Sequence, residues 1–185
     1  MTRRVRLLSS CTMLVSALAV FAAGSNAFSQ ATPRDIDAFS KASLVYIATV
    51  RKDGNQSKAA PVWFTTTADH VLLINTRPES WKVKRVGRGS PALVWIGSED
   101  GPAFIGKAEI TKDPTLQARI ITDYPEKYLT ARVGLFKPTQ EKYDKGSNIV
   151  IKITPVRDLP EHFTSQPGTP APSLEAAAAP SASPH

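Results

Sequence analysis

The sequence predicts a mainly β fold: a six-stranded antiparallel barrel with α-helices at its periphery. Three observations lead there. Six short runs are rich in β-branched and aromatic residues. Turn signals separate them, foremost Lys52-Asp53-Gly54-Asn55 and Glu99-Asp100-Gly101-Pro102. The strongest helical stripe is confined to one segment, residues 113–128.

The strands follow in order. Residues 44–50 (LVYIATV), 59–67 (AAPVWFTTT) and 71–76 (VLLINT) form a meander through the 52–55 turn and Ala68-Asp69-His70. Residues 92–96 (ALVWI) and 103–110 (AFIGKAEI) flank the Gly101-Pro102 turn. The last strand is 148–154 (NIVIKIT), and Pro155 ends it. A short helix is expected at 35–41 and another at 78–86, with Pro78 at its first position. The third runs over 113–128. Asp113 caps it, Pro114 opens it, and Leu116, Ile120 and Ile121 give its apolar face.

The two ends are set apart. Arg3, Arg4 and Arg6 precede a nearly uncharged run from Leu7 to Ala23, then small residues. Residues 1–31 therefore read as a signal peptide, with cleavage after Ala27 or Ala31. Thr2-Arg3-Arg4 is a twin-arginine candidate with Arg6 in an unusual place. The expected location is periplasmic or secreted, with no membrane attachment after cleavage. Residues 164–185 are mostly Pro, Ala and Ser and read as a disordered tail. The folded domain is then 32–163.

Composition excludes several chemistries. Cys11 is the only cysteine and falls in the leader, so disulfides, thiolate metal sites and cysteine nucleophiles are ruled out of the processed chain. Removing the leader's three arginines lowers the net charge from +7 to +4. So modest a charge argues against nucleic acid. His70 and His162 have no partners at metal-ligand spacing, so no metal site is expected. Glu99-Asp100 reads as a turn, and no serine sits in a nucleophile elbow.

The stretch NTRPESWKVKRV, residues 75–86, is the most informative. It leaves a strand, enters a helix and carries Arg77, Lys82, Lys84 and Arg85. Arg77, Ser80 and Lys82 at such a junction suit a phosphate, which wants several charge-assisted donors at a rigid turn. The same lysines equally suit a solvated helix face. Trp81 can stack on a ring or pack on the barrel; Trp63 and Trp95 read first as core.

The order of motifs resembles the FMN-binding split barrels of the pyridoxamine 5'-phosphate oxidase-like superfamily. The residues that carry the resemblance are 44–50, the Asp53-Gly54 turn and Ala60-Pro61-Val62-Trp63-Phe64. Further along are Thr76-Arg77-x-x-Ser80-x-Lys82, Gly106-Lys107-Ala108-Glu109-Ile110 and Ile153-Thr154-Pro155. The resemblance implies a homodimer with FMN, or alternatively the deazaflavin F420, between subunits. Pro61, Val62 and Trp63 would flank the ring, with Asn75 and Thr76 beside it. Arg77, Ser80 and Lys82 would hold the phosphate. The activity implied is a flavin-dependent oxidoreductase acting on a small molecule; the alternative is a non-catalytic flavin- or haem-binding protein. Two departures stand out. Trp81 replaces an arginine of the true oxidases, and Arg85-Val86 replaces Asn/Glu-Leu. The C-terminal substrate-recognition region of those oxidases has no counterpart, which argues against vitamin B6 as substrate.

Overall fold

The computed structural model describes residues 36–174; the expected leader and residues 175–185 lie outside them. The elements run α1 (Ile36–Lys41), β1 (Val45–Thr49), β2 (Ala60–Val62), β3 (Thr65–Thr66), β4 (Leu72–Thr76) and α2 (Trp81–Val86). Then come β5 (Ala92–Ile96), β6 (Ala103–Thr111), α3 (Pro114–Lys127), α4 (Leu129–Arg132), α5 (Gln140–Asp144) and β7 (Ile149–Asp158). The strands form one sheet in the order β2-β1-β5-β6-β7-β4-β3, antiparallel throughout.

β2 and β3 stand at opposite ends of that order, yet only Trp63 and Phe64 separate them in the chain. The sheet therefore curls until its ends meet. This is a split barrel of seven strands rather than six, because the expected strand 59–67 is two strands. Its first half pairs with β1 and its second with β4. The break has a physical cause. The Tyr128 hydroxyl accepts from Phe64 N–H and donates to Phe64 C=O, each at 2.9 Å. The Tyr124 hydroxyl donates to Trp63 C=O at 2.9 Å. Side chains of α3 and of Tyr128, which caps its end, thus satisfy backbone groups that a continuous ladder would otherwise have to pair.

Alternation sorts the core. Inward residues Val45, Ile47, Leu72, Ile74, Val94, Phe104, Ile151 and Ile153 fill the barrel. Phe39 of α1 joins this cluster against Phe64 and Phe104, and α2 adds Val83 and Val86. On the outside, Leu73 and Val150 meet Ile120, Tyr124 and Tyr128. β5 is buried along its whole length, since its other face puts Leu93 and Trp95 into a third cluster with Ile105 and Leu159. A strand covered on both faces is apolar without alternation.

Several expectations shift. α2 starts at Trp81 with Ser80 as its cap, so Pro78 lies in the preceding turn and not at the first helical position. β7 does not stop at Pro155; it runs to Asp158, with an irregularity facing Ile105 and Gly106. A bulge is one of the few places where a strand tolerates proline. α3 matches its expected span, with Asp113 accepting from Thr115 N–H at 2.8 Å. The short α4 and α5 were not anticipated.

Gly106, part of the Gly-Lys-Ala-Glu-Ile motif, is required by packing. A Cβ there would lie 2.5 Å from Ile153 Cγ2 and 2.9 Å from the Thr154 carbonyl oxygen. The second neighbour is backbone and cannot turn away. Gly106→Ala should cost about 1–3 kcal/mol in urea unfolding, as overpacked sites do. A loss under about 0.5 kcal/mol would mean that β7 gives way freely.

The tail expected to be disordered from residue 164 lies against the barrel as far as residue 174. Trp95 Nε1–H donates to the Phe163 carbonyl at 2.5 Å and the two rings stack. Gln56 N–H donates to Thr169 C=O at 2.7 Å, and Ala171 N–H to Gly54 C=O at 3.1 Å. Ala171 and Leu174 pack on the Trp95 cluster. The reason is Trp95 itself: a large ring on the outer face of a sheet needs a cover. A chain ended after Phe163 should lose roughly 1–3 kcal/mol, read by thermal or urea unfolding. Unchanged stability would make this packing incidental.

Candidate cofactor site at the barrel seam

Beside the break between β2 and β3, Trp63 and Asn75 meet through one side chain. Tyr124 Oη bridges them, donating to Trp63 C=O and accepting from Asn75 N–H at 3.1 Å. Trp63 and Asn75, twelve positions apart in sequence, thus share one hydroxyl. Burial pushes the Tyr124 phenol well above its ordinary value and Tyr128 up to about 12. Both remain protonated at neutral pH and act as fixed hydrogen-bond partners, not as bases.

Pro61 and Val62 pair with Tyr46 and Val45 at the β1 edge; Pro61 is exposed and Val62 half-buried. Trp63 stacks on Tyr128, with centroids 4.5 Å apart and planes 6° apart, and meets Phe136 edge-on. It therefore belongs first to the α3 cluster, and Tyr128 already occupies one of its faces. Asn75 Oδ1 is buried and has no hydrogen-bond partner among the described residues. An orphaned acceptor of this kind carries a desolvation cost unless something donates to it.

From Asn75 the chain passes Thr76, whose hydroxyl lies 3.4 Å from Ser80 Oγ. Ser80 Oγ accepts from Val83 N–H at 3.3 Å as the cap of α2. Its oxygen serves the helix, and its proton stays available as a donor. Arg77 is exposed in the turn between them. Lys82 is half-buried and borders a small space of about 10 Å³ beside Thr49 and Ile74. Its pKa is lowered, first by desolvation and then by Arg85.

Arg85 was read from the sequence as one cation of the 75–86 stretch and as a departure from a family pattern, not as a site residue. It donates to Thr49 Oγ1 at 3.1 Å. Its pKa too is lowered, by desolvation and then by the charges of Arg51 and Arg88. Among the described residues, none of Arg51, Lys82, Arg85 and Arg88 forms an ion pair. Four cations without a carboxylate are mutually destabilising until an anion joins them. The three-residue spacing of Lys82 and Arg85 on one helix face was the available signal. Trp81 neither packs on the barrel nor is buried: it is 66 % exposed, with Lys84 and Arg85 near its face at 4.8 and 5.7 Å.

Two other features lie off this path. A cavity of about 690 Å³ near Phe104, Arg157 and Glu161 includes none of the predicted residues. Lys127 sits 3.3 Å from the Phe64 ring centroid, and desolvation lowers its pKa to about 8 against the pull of Asp123. No cluster of His, Cys, Asp or Glu among the described residues could hold a metal ion.

An antiparallel sheet curled into a barrel that stays split at one seam is the fold of the split-barrel class. The sequence places the chain within that class. Residues 32–157 match the family described as pyridoxamine 5'-phosphate oxidase, and the protein belongs to it. A candidate pyridoxamine 5'-phosphate oxidase of Listeria innocua has a similar structure. The two share 20% identity over 66% of this chain and 91% of that one, with a TM-score of 0.50. A conserved hypothetical protein of Mycobacterium tuberculosis shares 22% identity over 66% of this chain and 78% of that one, with a TM-score of 0.49. An F420 reductase shares 18% identity over 69% of this chain and 98% of that one, with a TM-score of 0.46. At 20% identity the first of these likenesses speaks for the fold alone. No curated protein matches the sequence.

Proposed function

We propose that the protein is an exported, homodimeric oxidoreductase that holds FMN, or alternatively F420, at the seam and acts on a small molecule. The observation that carries this reading is that, among the described residues, Lys82 is a half-buried cation with no carboxylate partner and Asn75 Oδ1 a buried acceptor with no donor. A phosphate would satisfy the first and a ring N–H the second. Both FMN and F420 carry an anionic group and a planar ring.

When bound, the cofactor supplies hydride or single-electron transfer. The chain's own residues bind and orient. Lys82, Arg85 and the Ser80 hydroxyl proton would hold the anionic group. Asn75 Oδ1 would accept from the ring edge. Pro61 and Val62 limit the ring on the β2 side. Tyr124 holds the two lips at fixed separation, which keeps these groups in register. The two buried tyrosines offer no base at neutral pH, so the redox step is left to the cofactor.

The test is a titration of the full chain with FMN across alkaline pH. Anion binding needs protonated Lys82, whose pKa in the unliganded fold lies below 10.5. Affinity should therefore fall as pH rises through that lowered pKa, before an ordinary lysine would titrate. Lys82→Arg should carry binding to higher pH, since arginine stays charged. The reading fails if affinity is flat to pH 10.5 in the wild type, or if the wild type does not bind.

A further inference from the structure

Trp81 begins a stripe along α2. Trp81, Lys84, Arg85 and Arg88 stand at positions i, i+3, i+4 and i+7, which places them on one helix face. α2 ends at Val86, but Gly87 keeps helical backbone angles, φ −61° and ψ −16°. Arg88 Nη1 then donates to the Lys84 carbonyl at 3.0 Å, which ties the last cation to the helix. At the other end the indole is 66 % exposed, with cations beside it and no apolar cover.

The stripe is continuous with the cationic corner. Arg85 Nη1 reaches Thr49 Oγ1 at 3.1 Å, and Thr49 borders the same small space as Lys82. Desolvation and then the charges of Arg51 and Arg88 lower the Arg85 pKa, so those two cations lie close by. The neighbouring acids do not neutralise them. Glu79 is the one acid of residues 77–88, and Asp53 accepts from Asn55 N–H within its own turn. Neither forms an ion pair among the described residues.

One phosphate does not need so long a surface. Ser80, Lys82 and Arg85 already supply its donors. From position 81 to 88 a helix rises about 10 Å, several times the width of a phosphate. Along that length lie further cations and a bare indole. The cations call for a second anionic group, and the indole for a flat ring that stacks on it. Resting on the reading that a flavin phosphate sits at Lys82, we propose that the flavin is the dinucleotide FAD. Its second phosphate lies along Lys84, Arg88 and Arg51, and its adenine stacks on Trp81.

The experiment titrates the full chain, freed of bound flavin, with FMN and with FAD by calorimetry, beside Trp81→Ala and Arg88→Gln. The wild type should bind FAD about tenfold tighter than FMN. Each variant should remove most of that advantage and leave FMN affinity as it was. FMN bound as tightly as FAD by the wild type overturns the proposal and leaves the FMN reading standing. Trp81→Ala that weakens both flavins equally overturns it too. So does a Trp81→Ala protein that sediments as a smaller species than the wild type, because a second copy then covers the indole. Binding of neither flavin defeats the cofactor reading, and this proposal with it.

Discussion

Tyr124→Phe lowers the unfolding free energy by roughly 2–5 kcal/mol, although it removes one oxygen atom and leaves the ring in place. The magnitude follows from what that oxygen does. It accepts from Asn75 N–H and donates to Trp63 C=O, at the point where β2 and β3 part. Without it two backbone groups beside a buried residue lose their partners, at about 1–3 kcal/mol each. Tyr143 is the control. Its hydroxyl is buried with no partner among the described residues. Tyr143→Phe should be neutral or stabilising, since only a desolvation cost disappears. Urea unfolding of both variants decides the matter. A Tyr124→Phe loss below about 1 kcal/mol would mean that water replaces the hydroxyl and that the seam does not depend on it.

Lys82→Met should separate stability from binding. In the unliganded protein Lys82 is a partly desolvated cation beside Arg85, with no carboxylate to offset either. Methionine keeps the length and removes the charge, so the unliganded fold should become slightly more stable. A charge-assisted contact to phosphate contributes about 1.5–3 kcal/mol, so FMN affinity should fall roughly 10- to 100-fold. A residue that matters only for packing would move the other way, losing stability and sparing affinity.

How much of this was legible in the sequence depends on how local each determinant is. β1, β4, β5 and β6 were readable because their runs of β-branched residues are bounded by turns. α3 was readable because its cap and stripe lie within its own residues. The split of 59–67 was not, because AAPVWFTTT reads as one strand. What breaks it is a pair of hydroxyls some sixty positions away, on Tyr124 and Tyr128. The tail misled for a related reason. Its composition argues for disorder, but its order comes from Trp95 and the 54–56 turn.

The candidate site divides in the same way. Ser80 and Lys82 were picked out by spacing; Ser80 lies beside Thr76 and caps α2. Arg85 was noted as one of the cations of the stretch and as a departure from a family pattern, but not among the site residues. It joins the site only through contacts with β1 and the charge of the neighbouring turn. Trp63 was picked for a ring, yet it spends one face on Tyr128, a partner that no short-range pattern announces.

The measurement that bears most directly on the account is the titration of the full chain with FMN, and in parallel with F420, beside Lys82→Met and with the melting temperature of each unliganded protein. The account predicts saturable binding to the wild type and roughly 10- to 100-fold weaker binding to a variant that melts no lower. Equal affinity for both proteins, or no binding by a folded wild type, would contradict it, and the cations of the α2 corner would then be a solvated face.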